Sequence, residues 1–270
     1  MGKFALLLFF FGVSICLSQT RVSGMELSVP EEQTPEAKSD GENILPTVAD
    51  IEMGEQEPLY VELETVLISD PIQPYNRAIF DFNDDTYRYV MKPISTGYKK
   101  AFPKKVRISI RNFFLNIKMP VRFVNCLLQG KIEGASTEMA RFIINTTIGL
   151  GGIFDPAKSQ FHLERQDEDF GQTLAKYKLK SGPYIEWPFL GPSTVRDTIG
   201  YVGDTILNPV SFLVFVAGPL ATFGTNAFHQ NNEISLDKGV TYENITEPAI
   251  DPYIALQYAY IQYRHKKIKE

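Results

Sequence analysis

The stretch from Arg111 to Pro156 reads RNFFLNIKMPVRFVNCLLQGKIEGASTEMARFIINTTIGLGGIFDP and restricts the fold more than any other. It holds two apolar patterns at helical spacing, residues 120–129 and 133–150, joined by Gln129-Gly130-Lys131. Pro120 suits the first turn of the first helix, where its missing N–H costs nothing. In the second, Met139, Phe142, Ile143 and Ile148 form one apolar stripe, which Ile144 widens. Glycines 149, 151 and 152 and Asp155-Pro156 close the stretch. Into these apolar runs are set Arg122, Asn125, Arg141, Asn145, Thr146 and Thr147. A water-soluble core accepts such side chains only with partners. A helix lying in lipid turns them toward a protected interior instead.

The chain changes character twice before this stretch. Lys3 and the apolar residues 4–13 read as a secretory leader, too short to span a bilayer. Two cleavage sites are open. Val13-Ser-Ile-Cys16 resembles a bacterial lipobox with Cys16 as the lipidated residue, although Ile15 stands where that pattern has Gly, Ala or Ser. Val22-Ser23-Gly24 is an ordinary small-residue site, which gives residues 1–24 as the leader. Residues 25–70 carry thirteen Asp/Glu and one Lys, a net of −12. Residues 71–270 carry twenty-four Lys/Arg and nineteen Asp/Glu, a net of +5. The segment 25–69 thus has the composition of a disordered acidic linker, with a short alternating piece at 59–68. A domain at 70–270 follows. Its mild positive charge suits an anionic membrane surface or has no consequence. The two cysteines, Cys16 and Cys126, leave one interior thiol and no disulfide framework.

Helices dominate the reading of that domain. Asp70-Pro71 opens a helix carrying Ile79, Phe80, Phe82, Tyr87 and Val90, and Lys92-Pro93 stops it. Residues 97–116 form one basic amphipathic helix, a membrane-interface candidate or an ordinary solvated face. Asp167, Glu168 and Asp169 invite a metal reading. With no nearby histidine but His162, they read instead as charges at the start of a short helix. Gly182-Pro183 and Gly191-Pro192 are turn punctuation. Ser193 or Thr194 caps a helix on which Asp197 and Asp204, seven apart, share a face with Arg196 nearby. Residues 209–223, PVSFLVFVAGPLATF, are too few to span a membrane and fit a buried helix or a segment dipping into one leaflet. Asp251-Pro252 opens a last helix whose tyrosines 253, 258, 260 and 263 fit an interfacial belt or a packing face.

Catalytic constellations are missing from this inventory. His162, His229 and His265 are scattered and no Gly-x-Ser-x-Gly elbow occurs. Gly149-Leu-Gly-Gly152 follows a helical pattern rather than a strand, so it is no dinucleotide fingerprint. No zinc spacing, phosphate loop or nucleic-acid motif is present. The reading therefore assigns no catalytic residue, metal or cofactor.

An ordered set of short motifs resembles the MlaA (VacJ) lipoproteins of Gram-negative outer membranes. They are Ser69-Asp-Pro-x-x-x-Tyr-Asn-Arg77, Asn112-Phe113, Val124-Asn125 with Leu128-Gln129-Gly130, and Arg141-Phe142-x-x-Asn-Thr-x-x-Gly149-x-Gly-Gly152. Phe170-Gly171-x-Thr-Leu174, Gly182-Pro-Tyr184, Leu190-Gly191 with Thr194-x-Arg-Asp197, and Asp251-Pro-Tyr253 continue it, over residues 69–265. The resemblance implies an all-α fold: a ring of amphipathic helices lying in one membrane leaflet, behind a disordered N-terminal tether. It implies a lipid-anchored protein in the periplasmic leaflet of the outer membrane. Such a protein passes stray phospholipids through a polar channel to a periplasmic lipid-carrier protein, beside a trimeric outer-membrane porin, without covalent chemistry. Arg141, Asn145, Arg196, Asp197 and Asp204 are then the channel-lining candidates and Phe82-Asn83 the gate candidate. The alternative is a structural adaptor that organises a porin complex and moves no lipid. The chain departs from the family pattern at Ile15, in its long acidic tract, and in a tail that ends soon after Arg264.

Overall fold

The computed structural model describes residues 69–236 and 240–270. The leader, Cys16 and the acidic tract up to residue 68, including the piece at 59–68, lie outside the described residues. Helix α1 spans Gln73–Thr86 with Ile72 as its N-cap, so it does not start at Asp70-Pro71 as the sequence suggests. The Asp70 carboxylate accepts from the Asn76, Tyr253 and Gln257 side chains instead of capping. Nor does the helix stop at Lys92-Pro93. A π-helical turn, Tyr87–Met91, carries the chain into α2, Lys92–Ala101, with Pro93 in its first turn. The Lys92 N–H donates to the Tyr87 carbonyl five residues back. The widened turn accommodates a proline that would otherwise strike the preceding turn.

The basic helix expected at 97–116 is two helices. Phe102 is extended (φ −119°, ψ 123°) ahead of Pro103, as a residue before proline prefers. Helix α3 then runs Lys104–Ile117. The opening stretch gives α4, Met119–Leu128, packed on α5, Ile132–Thr147. Helix α5 ends three residues before the apolar pattern does. Leu150, Gly151 and Gly152 take positive φ (53°, 74° and 91°), and Gly151 N and Gly152 N bond back to the carbonyls of Thr146 and Asn145. A Cβ on Gly152 would stand 2.4 Å from the Asn116 side chain, so only glycine lets this turn close on α3.

A one-turn helix α6, Pro156–Ser159, and α7, Phe170–Lys176, follow. Asp155 caps the first and Asp169 the second, accepting from Lys158 N and Gln172 N. Asp167 is not a cap; it pairs with Arg165. The turn punctuation at 182–192 conceals a β-hairpin, the one sheet among the described residues. β1, Tyr184–Trp187, pairs antiparallel with β2, Gly191–Thr194, from Tyr184↔Thr194 to Trp187↔Gly191. Helix α1 seats it. Asn76 and Asn83, seven apart on one face, bond the β1 backbone and turn: Asn76 to Tyr184 O (3.2 Å) and Glu186 N (2.9 Å), Asn83 to Trp187 O (3.0 Å) and Phe189 N (2.7 Å).

Thr194 caps α8, Val195–Leu207, which packs on α7. The apolar run at 209–223 becomes a 3₁₀ turn (Pro209–Phe212), a single turn α9 (Leu213–Val216), and the start of α10, Gly218–Leu236. It is not a buried core helix: Phe212, Val216 and Leu220 are exposed, the last two by 86% and 81%. Helix α10 packs on α2 and α3. Helix α11, Val240–Thr246, packs on α12, Pro252–Lys269, which Asp251 caps. Tyr253 and Tyr260 are buried and so belong to a packing face, not an interfacial belt.

Candidate functional site

Burial along α5 alternates in the sense opposite to a soluble helix. Glu138, Arg141 and Asn145 are buried, while Met139, Ile143 and Ile148 just beyond its end are exposed. Helix α4 repeats this: Arg122, Asn125 and Gln129 are buried against exposed Leu127 and Leu128. Thr146 and Thr147 depart from the expectation and face outward. Across the described residues, twenty-seven polar or charged side chains are buried against fifteen hydrophobic ones. Soluble domains bury charge rarely and only with partners, so the interior is polar by construction.

Partners for these groups come mostly from remote segments. Arg122 Nε donates to Glu138 Oε2 at 2.8 Å, and the other Glu138 oxygen accepts from Gln166 N. Arg141 Nη2 and Asn145 Nδ2 each reach a different oxygen of Asp155 at 2.8 Å, and Ala157 N donates to Asn145 Oδ1. Burial pushes the Asp155 carboxyl up, but the bonds from Arg141 and Asn145 outweigh it and hold the group below the usual carboxylate range. Asn125 links Thr173 to Asp204, whose Oδ1 also accepts from Phe170 N. Gln129 and Lys131 converge on Glu168.

Asp197 is the most heavily engaged candidate. It is fully buried and accepts from Arg264 Nε (3.0 Å) and Nη2 (2.9 Å), Tyr260 Oη (2.7 Å) and Arg196 Nε (3.2 Å). Arg264 reaches Asp169 as well. Burial works against its charge, yet Asp169 and Asp197 hold it charged far above the ordinary range. Glycines permit the approach: a Cβ on Gly171 would meet Asp197 Oδ1 at 2.6 Å, and one on Gly200 would meet Gly171 N at 2.4 Å.

The two gate candidates sit in different surroundings. Asn83 is buried in the hairpin, with Nδ2 also 3.1 Å from Glu186 Oε1. Phe82 is half-exposed and rests edge-on against Phe189, ring centres 5.0 Å apart. Glu186 beneath them is fully buried and also accepts from the Tyr184 hydroxyl. Burial pushes its carboxyl up to about 7, and its neutral hydrogen-bond partners only partly oppose this. The Cys126 thiol is buried, and burial pushes it up to about 11, away from the thiolate form.

The structure thus brings Arg141 and Asn145 together at Asp155, Arg196 and Asp197 together at Arg264, and leaves Asp204 with Asn125 and α7. Sequence reasoning passed over Glu138, Glu186 and the partner role of Arg264. Only Arg264 left a signal: Tyr260 and Arg264 lie four apart on the last helix, facing the same way.

The sequence profile described as "MlaA lipoprotein" matches residues 68–267. The chain belongs to the MlaA lipoprotein family. An intermembrane phospholipid transport system lipoprotein MlaA of Haemophilus influenzae is 31% identical over 206 residues, covering 75% of this chain and 80% of that one. Its Escherichia coli counterpart is 30% identical over 200 residues, 73% and 77% of the two chains. An uncharacterised Rickettsia felis protein is 29% identical over 203 residues, 75% and 79%. A solved structure from work on the structural basis for maintenance of bacterial outer membrane lipid asymmetry superposes with a TM-score of 0.60 at 32% identity, covering 75% of this chain and all of that one. The helical fold is therefore shared, and Asp70, Asn76, Arg77, Arg141, Asn145, Asp197 and Asp251 are network formers in this chain.

Proposed function

We propose that this MlaA-family protein is a non-catalytic component of phospholipid transport that keeps the outer membrane asymmetric. In this reading it lies as a ring in the periplasmic leaflet, anchored through Cys16, beside a trimeric porin. It takes phospholipids that have strayed into the outer leaflet and passes them through a polar channel to a periplasmic carrier. The observation that carries the reading is the inverted burial: charged and amide side chains inside, Ile, Leu, Val and Phe outside. No helix among the described residues is long and apolar enough to cross a membrane. Exposed Met139, Ile143, Ile148, Leu127 and Leu128 suit acyl chains, whose burial is favourable at about 25 cal/mol per Å². The names of the Haemophilus and Escherichia relatives support phospholipids as cargo.

Arg141, Asn145, Arg196, Asp197 and Asp204 supply the polar wall, each fixed by a partner so that the wall keeps its shape. Phe82 and Asn83 supply the gate, where α1 meets the hairpin turn. The test is deletion of the gene. Cells should become sensitive to detergent with EDTA and gain phospholipid at the surface, and the wild-type gene should reverse both. Unchanged sensitivity and unchanged surface phospholipid would remove the reading. Lipid transport that survives charge reversal at Asp204 while porin capture fails would favour the adaptor.

A further inference from the structure

The end of α7 and the loop after it read Lys176-Tyr-Lys-Leu-Lys180, alternating cations with apolar side chains. All five residues are exposed, Tyr177 by 67%. Hydrogen bonds that end α7 fix the shape of the loop. Lys178 N donates to Ala175 O at 2.8 Å and Leu179 N to Leu174 O at 3.0 Å, with Lys178 in the left-handed region (φ 65°). Helix α4 ends in the same way through Gly130 (φ 74°), with Gly130 N on Leu127 O and Lys131 N on Cys126 O. Side-chain bonds pin the two helix ends together. Tyr177 Oη donates to Leu128 O at 2.8 Å, Gln129 Nε2 to Thr173 Oγ1 at 3.2 Å, and Thr173 Oγ1 to Asn125 Oδ1 at 2.8 Å.

The edge formed in this way is apolar and basic at once. Leu127, Leu128, Ile132, Tyr177 and Leu179 are all exposed there. Ile132 also begins the exposed stripe of α5, which continues at helical spacing through Met139 and Ile143. The charged residues of segments 127–133 and 174–183 are Lys131, Lys176, Lys178, Lys180 and Glu133. Glu168 engages Lys131, and Glu133 lies in the first turn of α5, where the helix dipole favours an acid. Lys176 suits the dipole at the end of α7. Lys178 and Lys180 lie beyond that helix and form no ion pair among the described residues. Long cations interleaved with Leu, Ile and Tyr fit the boundary of a bilayer: the apolar groups enter the acyl region while the lysines extend to the headgroups. The α5 stripe favours a lipid surface over an acidic protein, because it runs on for about three turns with no cation on it.

We infer that the Lys176–Lys180 loop, seated on the α4–α5 corner, is a headgroup-reading edge that directs this chain to bilayer surfaces rich in anionic phospholipid. The inference rests on the transport reading and deepens it. The α5 stripe supplies contact with any phospholipid, and the loop supplies the preference for a negative one. That preference is electrostatic, so salt screens it.

The test is co-flotation of the full-length protein with phosphatidylethanolamine–phosphatidylcholine vesicles, prepared with and without phosphatidylglycerol. Wild type should favour the vesicles that contain phosphatidylglycerol, and high salt should remove the preference. Lys178→Gln with Lys180→Gln should lower partition into those vesicles by about tenfold or more and stay within about twofold of wild type on the zwitterionic ones. Lys178→Arg with Lys180→Arg should keep the preference. Lys266→Gln with Lys269→Gln removes the same charge from exposed positions at the end of α12 and should leave the preference in place. An undiminished preference in the first variant, equal loss on both kinds of vesicle, or equal loss in the α12 variant overturns the inference. A second readout replaces Leu179 by photo-leucine in intact cells. Irradiation should yield lipid adducts; an adduct with protein alone, whether a second copy or another partner, overturns the inference as well. If wild type floats with neither kind of vesicle, the membrane-lying transport reading fails. If it floats with both alike, only the anionic preference fails.

Discussion

Asp197 and Glu186 are both fully buried carboxyls, and their surroundings give them opposite chemistry. Asp197 has the Arg264 guanidinium against it, so its removal leaves a buried cation facing Asp169 alone. Breaking a buried pair from one side costs about 3–5 kcal/mol, and Asp197→Ala should lower stability by that order in thermal or denaturant unfolding. Lys158→Ala, at an ion pair whose side chains are 60% and 68% exposed, should change it by less than about 1 kcal/mol. Glu186 has only a phenol and an amide as partners, so burial dominates and its carboxyl titrates near 7 in the fold instead of near the ordinary 4.5. The raised value means that the folded state holds a proton the unfolded state has released between those limits. Stability should therefore fall as pH rises from about 4.5 to about 7, by up to about 3 kcal/mol for this group. Glu186→Gln should flatten that part of the melting-temperature profile. A slope unchanged in the variant would assign it to other groups.

At the scale of elements, glycine decides where two helices touch. Helices α7 and α8 approach at Gly171 and Gly200, where there is no room for a Cβ on either. Gly171→Ala would press on both Asp197 and Arg264 and should destabilise by about 1–3 kcal/mol. Gly97, within α2, is the contrasting case: a Cβ there would meet nothing within 4 Å. Gly97→Ala should stabilise by about 0.5–1 kcal/mol through helix propensity. Paired unfolding curves of the two variants check both signs. Proline shows the same dependence on surroundings. Pro103 breaks the basic run because the residue before it turns extended, whereas Pro93 is absorbed by the π-helical turn ahead of it. The local sequences, Phe102-Pro103 and Lys92-Pro93, contain no cue that separates those outcomes.

For the whole molecule, the decisive property is which way the side chains face. Val216 and Leu220 flank Gly218, whose φ of +81° bends the chain between α9 and α10, and both are almost fully exposed. Two such side chains left in water would forgo several kcal/mol of burial between them, about 1.5–3 each. Val216→Asp with Leu220→Asp should therefore reduce co-flotation with phospholipid vesicles while leaving the helical circular dichroism spectrum in place. Retained flotation would assign membrane association to other apolar faces, such as that of α5.

The sequence alone determined the helical class, the Asp251-Pro252 and Asp169 helix starts, the two-helix pattern of the opening stretch and the ordered motifs of the family. These are legible because caps, prolines and apolar spacing act over a few residues. It also exposed the awkward polar residues of α4 and α5, but not what they meet. Asp197 finds Arg264 67 residues away, Asn83 finds Glu186 103 away, and Asn76 finds the β1 backbone 108 away. Those pairings and the hairpin hidden among turn residues were decided by tertiary structure. Partner choice in a polar interior depends on which remote segments packing brings within hydrogen-bond reach, and no local pattern encodes that distance.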